Sequence, residues 1–271
     1  METREIKEYA LKMRRDIITM VSSAQSGHPG GSLSACDILA TLYFDEMNIN
    51  KENLRGYNRD RFVLSKGHAS PVLYAALKEK GLIDEDLTTF RLLGSHLQGH
   101  PSMIKLDGVD MSTGSLGQGI STAVGMALAN KIDNNEHRVY TLVGDGESEE
   151  GLVYEALMSA AHYKLNNLCV ILDYNHLQID GDIEKVMNPS PFKEKFEAFG
   201  FNTIVVDGHN IDELKAAFKA ARNCTDKPSA IIANTIKGKG VSFMENDYAW
   251  HGTAPNAQQT ALALAELEEV K

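Results

Sequence analysis

From residue 139 onward the sequence alternates four short apolar runs, at 139–143, 168–172, 203–206 and 230–235, with helix-patterned segments at 152–163, 192–199 and 213–224. Runs this short, separated by helical spacers, are the mark of parallel βαβ units, because a return to a parallel neighbour needs a crossover of a dozen or more residues. The expected fold class is therefore α/β, a mainly parallel sheet flanked by helices in three layers. In such sheets ligands bind beyond the carboxyl ends of the strands, which makes the residues that follow each apolar run the first place to look for chemistry.

The first 138 residues read differently. Apolar residues at Ile6, Tyr9, Ala10, Met13, Ile17, Met20, Val21 and Ala24 repeat every three to four positions, predicting an amphipathic helix that stops at Ser26-Gly27-His28-Pro29-Gly30-Gly31. Ser34 with Asp37 resembles a capping box that opens a second helix. Ser70-Pro71 starts another, which Gly81 stops. Residues 114–130 form a small-residue helix pattern whose glycines allow close packing and whose start is a candidate anion or cofactor contact. The tail from 258 to 271 reads as a surface helix, and nothing along the 271 residues marks a linker or internal repeat, so one domain is expected.

Composition narrows the partners. The net charge is −10 and the basic clusters (Lys237 with Lys239; Arg55, Arg59 and Arg61) are short, which gives nucleic-acid binding little electrostatic support. No apolar stretch reaches the roughly 18–20 residues of a membrane span, and the N-terminus is charged without a signal-peptide core, so no membrane association and a cytoplasmic location are expected. The three cysteines, Cys36, Cys169 and Cys224, are far apart and set in apolar patterns, which predicts buried thiols rather than disulfides or a zinc site.

Two turns stand out. Gly144-Asp145-Gly146 follows the first apolar run and Asp173-Tyr174-Asn175 follows the second. Either alone is an ordinary turn sequence. The interval between them fits one crossover helix and one strand, so a right-handed return brings Asn175 beside Asp145 at one sheet edge. A carboxylate, an amide oxygen and a backbone carbonyl just after form a hard oxygen set suited to Mg²⁺ or Ca²⁺, and Mg²⁺ leaves room for diphosphate oxygens.

A Gly-Asp-Gly followed at this interval by Asn resembles the signature of thiamine diphosphate (ThDP) enzymes. Within them the chain is most similar to transketolases: SGHPGG at Ser26, DRFVLSKGHAS at Asp60, GHPS at Gly99, STGSLGQGIS at Ser112 and HGTAP at His251 follow in transketolase order. The resemblance implies that Asp145, Asn175 and the main-chain carbonyl of Leu177 bind Mg²⁺, with Ca²⁺ or Mn²⁺ as substitutes, and that Gly146 lies near the diphosphate. It places His68 and His251 at the diphosphate and near the substrate, and His28 and His100 against ketose hydroxyls. The Gly114 carbonyl would accept from the cofactor's 4′-amino group, Leu116 would lie beside its rings, and Glu150 would reach across a subunit boundary. Moving protons to and from sugar hydroxyls near neutral pH suits imidazole. His96, His137, His162, His176 and His209 lie in no such motif and are read as structural or solvated.

In the family, the glutamate that activates the cofactor and the arginines that grip the sugar phosphate belong to later pyrimidine-binding and C-terminal domains, which are not found in these residues. The resemblance therefore implies a single diphosphate-binding domain over 1–271, acting on sugar phosphates with a separate C-terminal subunit in an α2β2 assembly. Alternatives are a divided ThDP enzyme of other specificity, such as a deoxyxylulose phosphate synthase-like or other ketol transferase, a pyruvate dehydrogenase-like α chain, or a non-catalytic ThDP-binding subunit. The weaker rival is a Rossmann-type dinucleotide site, since no G-x-G-x-x-G follows the strand at Gly144.

Overall fold

The computed structural model describes residues 1–269. In chain order the elements are α1 (Thr3–Ala24), α2 (Pro29–Ser34), α3 (Cys36–Thr41), β1 (Arg61–Leu64), α4 (Ser70–Glu79), α5 (Gln118–Ile132), β2 (Val139–Gly144), α6 (Gly151–His162) and β3 (Leu168–Tyr174). There follow a small hairpin of β4 (Leu177–Gln178) and β5 (Gly181–Asp182), then α7 (Ile183–Val186), α8 (Phe192–Ala198), β6 (Asn202–Asp207), α9 (Ile211–Asn223), β7 (Ser229–Asn234) and α10 (Ala257–Glu269). Five strands form one sheet in the order β1-β2-β3-β7-β6, every pair parallel. The expected three-layer α/β architecture is the one observed.

Both sheet faces are covered, which is why the apolar runs are continuous rather than alternating. Side chains still divide with period two. Tyr140, Leu142, Cys169, Ile171, Ile231 and Ala233 enter one core with α1, α3, α4, α9 and α10. Val139, Val143, Leu168, Val170, Leu172, Ala230 and Ile232 enter the other with α5, α6 and α8. Gly119 in the first turn of α5 lets that helix lie on the loop after β1; a Cβ there would stand 2.6 Å from Ser65 Cα.

Several expectations need correction. The helix expected after Ser34 is observed as α3, but its N-cap is Ala35, and it is preceded by the unexpected α2, where Pro29 occupies the first turn and its missing N–H costs nothing. Ser34 caps no helix, because its hydroxyl is buried and bonded to Asp173 at 2.6 Å, while Asp37 is taken by Arg14 and His209. The tail helix is not merely superficial, since Ala263 and Leu267 are buried in the core with α1. Its expected last residues, Val270 and Lys271, lie outside the described residues. Cys36 and Cys169 are buried, but Cys224 is half-exposed. Strand β1 was not anticipated: Arg61–Leu64 is four residues long and begins with a charge, too little to show a strand period. Among the described residues no helix is long and apolar enough to cross a membrane.

β1 is fixed at its amino end by a buried ion cluster. Asp110 accepts from Arg59 Nη1 (3.0 Å), Arg59 Nη2 (2.5 Å), Arg61 Nη1 (2.9 Å) and the Phe62 backbone N–H (2.9 Å). Arg59 and Asp110 are each 3% exposed in their side chains. Removing one member of a buried pair leaves the other charge stranded, a cost of about 3–5 kcal/mol. Asp110→Ala should therefore lower the free energy of unfolding, read from urea denaturation, by an amount in that range, and a midpoint within error of wild type would contradict the staple.

Candidate functional site

Four of the five strands deliver their chemistry to one edge. Ser65, Lys66 and His68 follow β1; Asp145 and Glu147 follow β2; Asn175 and Leu177 follow β3; Lys237 follows β7. Register enforces the meeting, with Leu64 beside Leu142, Gly144 beside Asp173, and Tyr174 beside Asn234. All of them but Ser65 line one cavity of about 300 Å³, together with His28, Gly31, Gly114, Leu116, Gly146 and His251.

Its floor is an ionic knot. Asp173, 0% exposed, accepts from Ser34 Oγ (2.6 Å), Asn175 Nδ2 (3.3 Å), Lys66 Nζ and Thr235 Oγ1. Lys66 also donates to the Gly31 carbonyl at 2.7 Å. Burial works against the Asp173 charge, but the Lys66 ammonium, with Ser34 and Thr235, outweighs it and holds the carboxyl below its ordinary value. Asp145 is the reverse case. It accepts from the backbone N–H groups of Gly146 (2.8 Å) and His176 (2.7 Å), yet burial and the facing Asp173 raise its carboxyl. Lys237, 2% exposed, donates to the Leu177 carbonyl at 3.0 Å and to His251 Nδ1 at 3.2 Å. Burial lowers its ammonium despite the pull of Asp145.

Three imidazoles form the wall. Ring centroids lie 5.2 Å apart for His28 and His68, 5.4 Å for His28 and His251, and 5.2 Å for His68 and His251. Burial first, then nearby positive charge, pulls His28 down to about 4, His251 to about 3, and His68 well below the ordinary imidazole range. All three are neutral near pH 7. Because His251 Nδ1 faces the Lys237 ammonium, which can only donate, Nδ1 accepts and the ring proton sits on Nε2. His28 Nδ1 is buried with no hydrogen-bond partner. His100 stands at the exposed rim, 6.5 Å from His28 and packed against Gly114.

Glu147 binds the loops together. Its Oε1 accepts from Ser65 Oγ (2.6 Å) and the Gly117 N–H (2.9 Å), and its Oε2 from the Gly144 N–H (3.0 Å). One buried carboxylate thus joins the ends of β1 and β2 to the loop that opens α5. Thr113 adds a bond from that loop to the Leu64 carbonyl at 2.7 Å.

The chain has known relatives. Residues 6–267 match the family model described as transketolase, thiamine diphosphate binding domain. The chain belongs to the transketolase family. It is 44% identical over 266 residues to a 6-deoxy-6-sulfo-D-fructose transketolase subunit of a Clostridium species, covering 98% of this chain and 97% of the relative. It is 40% identical over 270 residues to an apulose-4-phosphate transketolase subunit of Phocaeicola vulgatus, covering 99% and 96%. Human transketolase is 43% identical over 249 residues, but this chain spans only 39% of its length. The crystal structure of Campylobacter jejuni transketolase superposes with a TM-score of 0.92 at 38% identity, covering 99% of this chain and 43% of that one.

The donor set suits the transketolase cofactor. A buried carboxylate pushed upward by a second carboxylate would be stabilised by a hard cation, and a diphosphate would answer the buried Lys237 ammonium. Of the residues singled out in the sequence, His28, His68, His251, Gly114, Leu116, Asp145, Gly146, Asn175 and Leu177 meet at this cavity. Glu150 does not: it is exposed, at the start of α6. His209, read as structural or solvated, is bonded between Asp37 and the Ile236 N–H. Sequence reasoning missed Lys66, Glu147 and Lys237. Lys66 sits inside a matched motif, Glu147 directly follows the Gly-Asp-Gly turn, and Lys237 follows a strand in a glycine-flanked loop, so position alone could have flagged them.

Glu147→Ala leaves one hydroxyl and two buried N–H groups without that acceptor, at about 1–3 kcal/mol each. The variant should unfold at lower urea and bind ThDP more weakly by titration calorimetry. Unchanged values for both would show that Glu147 does not organise the loops.

Proposed function

We propose that this chain is the diphosphate-binding subunit of a two-chain transketolase, moving a two-carbon ketol unit from a ketose phosphate, or a similarly anionic ketose, to an aldose phosphate. The observation that carries this reading is the convergence of Asp145, Asn175, the Leu177 carbonyl and Lys237 with three neutral histidines on one cavity. The two relatives named as subunits match this chain over nearly their whole length, which supports a separate chain carrying the pyrimidine-binding and C-terminal domains, in an α2β2 assembly. In this reading residues 1–271 are one domain. The relatives' names concern 6-deoxy-6-sulfo-D-fructose and apulose 4-phosphate, ketoses that carry a strong acid, and this favours an anionic sugar donor here.

Bound ThDP supplies the electron sink for breaking the bond between C2 and C3 of the ketose. Asp145, Asn175 and the Leu177 carbonyl would hold Mg²⁺, or Ca²⁺ or Mn²⁺, at the diphosphate, with Gly146 beside it. Lys237 adds positive charge there. The Gly114 carbonyl would accept from the aminopyrimidine and Leu116 would lie beside the rings. His68 and His251 serve the diphosphate and the reacting end of the sugar. His28, with a free buried Nδ1, and His100 take and return protons at the ketose hydroxyls. Glu150, exposed at the start of α6, would reach toward a neighbouring subunit.

Two substitutions separate cofactor binding from chemistry. With the partner chain present, Asp145→Ala removes the charged cation ligand and should abolish retention of ThDP and Mg²⁺ on gel filtration. His28→Ala should keep ThDP affinity within about twofold and lower kcat/KM by about 10²-fold or more. Retention of cofactor by the Asp145 variant, or loss of it in the His28 variant, would contradict these roles. If the wild-type pair released CO₂ from pyruvate instead of cleaving ketoses, the synthase-like specificity would replace this one.

A further inference from the structure

Behind the cavity wall, Arg91 bridges the two segments that carry His28 and His100. Its Nη1 donates to Ser26 Oγ at 2.8 Å, two residues before His28. Its guanidinium lies flat on Gly99, immediately before His100: a Cβ at Gly99 would stand 2.9 Å from Nε, 3.0 Å from Cζ and 3.1 Å from Nη2. The far side covers Phe90, with 5.5 Å from Cζ to the ring centroid. Two features show that the surroundings hold this side chain in place at a cost. Its backbone has φ +61°, left-handed for a residue with a long side chain, and its Nε is buried without a partner. Among the described residues no carboxylate pairs with it.

We infer that Arg91 is a positioning residue for ketol transfer: one guanidinium clamps the Ser26–His28 segment to Gly99-His100 and so sets the spacing of the two imidazoles that face the sugar. This rests on the function proposed above. The second consequence is electrostatic. His28 faces His68, His100, His251, Lys237 and Arg91, and His100 faces His28 and Arg91. After burial, Arg91 is the largest influence lowering both rings, because no carboxylate neutralises it. An unpaired cation behind the wall therefore adds to burial in holding both imidazoles in the neutral form that can accept a proton.

Glycine is the natural occupant of a left-handed position, whereas lysine keeps the charge but not the flat, forked donor. Three variants, Arg91→Ala, Arg91→Lys and Arg91→Gly, therefore separate the contributions. In the full chain, NMR titration of the histidine rings should show His28 and His100 titrating at higher pH in Arg91→Ala than in wild type, with Arg91→Lys close to wild type. With the partner chain, Arg91→Ala should keep its ThDP affinity and lose about tenfold or more in kcat/KM, and its acid limb should move to higher pH. Arg91→Gly should lose as much activity as Arg91→Ala while melting at a higher temperature. Unshifted ring titrations in Arg91→Ala, or recovery of activity in Arg91→Gly, would overturn the clamp. A wild-type pair inactive on every ketose would instead overturn the proposed function, and the ring titrations, which need no turnover, would still decide the role of Arg91.

Discussion

A carboxylate with no access to water must be neutralised where it stands, and Asp173 imposes that requirement on most of the site. It sits at the end of the central strand β3 and accepts from Lys66, Ser34, Thr235 and Asn175. Those donors come from the loop after β1, from α2, from the end of β7 and from the residue that follows β3's own strand end. One buried charge thus fixes four segments that sequence separates widely. It also reaches beyond them: Asp173 helps push Asp145 upward, while Lys66 adds to the positive field that keeps His68 and His251 neutral.

Above the matched Lys66–Asp173 pair, the cavity lining is left out of balance. Around the cavity, Asp145 carries more negative charge than its two backbone donors comfortably support, and Lys237 is an ammonium whose direct hydrogen-bond partners are a carbonyl and an imidazole. These are deficits that a divalent cation and a diphosphate would answer together. The histidine wall follows the same logic, since burial and surrounding cations leave each ring uncharged. Perturbations of this kind, concentrated in one cleft, are typical of functional sites.

Much of this was legible in advance. The alternation after residue 139 carried the sheet class, because continuous apolar runs between helical spacers reflect burial on both faces. The pairing of Asp145 with Asn175 followed from one crossover length, and the family resemblance placed His28, His68 and His251 where the cavity gathers them. What escaped notice has a common cause. β1 is four residues long and owes its extension to pairing with β2, and Ser34 looked like a cap because its partner lies 139 positions away. A helix-capping pattern is read from neighbours three residues apart, so a long-range acceptor that takes the hydroxyl instead leaves no local trace.

The sequence by itself determined the class of fold and the order of its motifs, because those depend on local periodicity and on residue chemistry, while its resemblance to a family pointed to candidate side chains for binding and proton transfer. Only the tertiary structure decided that Lys66 and Lys237 are buried in the site, that Glu147 holds three loops, that Glu150 faces outward, and that Arg91 stands behind two histidines from distant segments. These depend on which charges share a low-dielectric space, and that is set by strand order and register rather than by any stretch of chain.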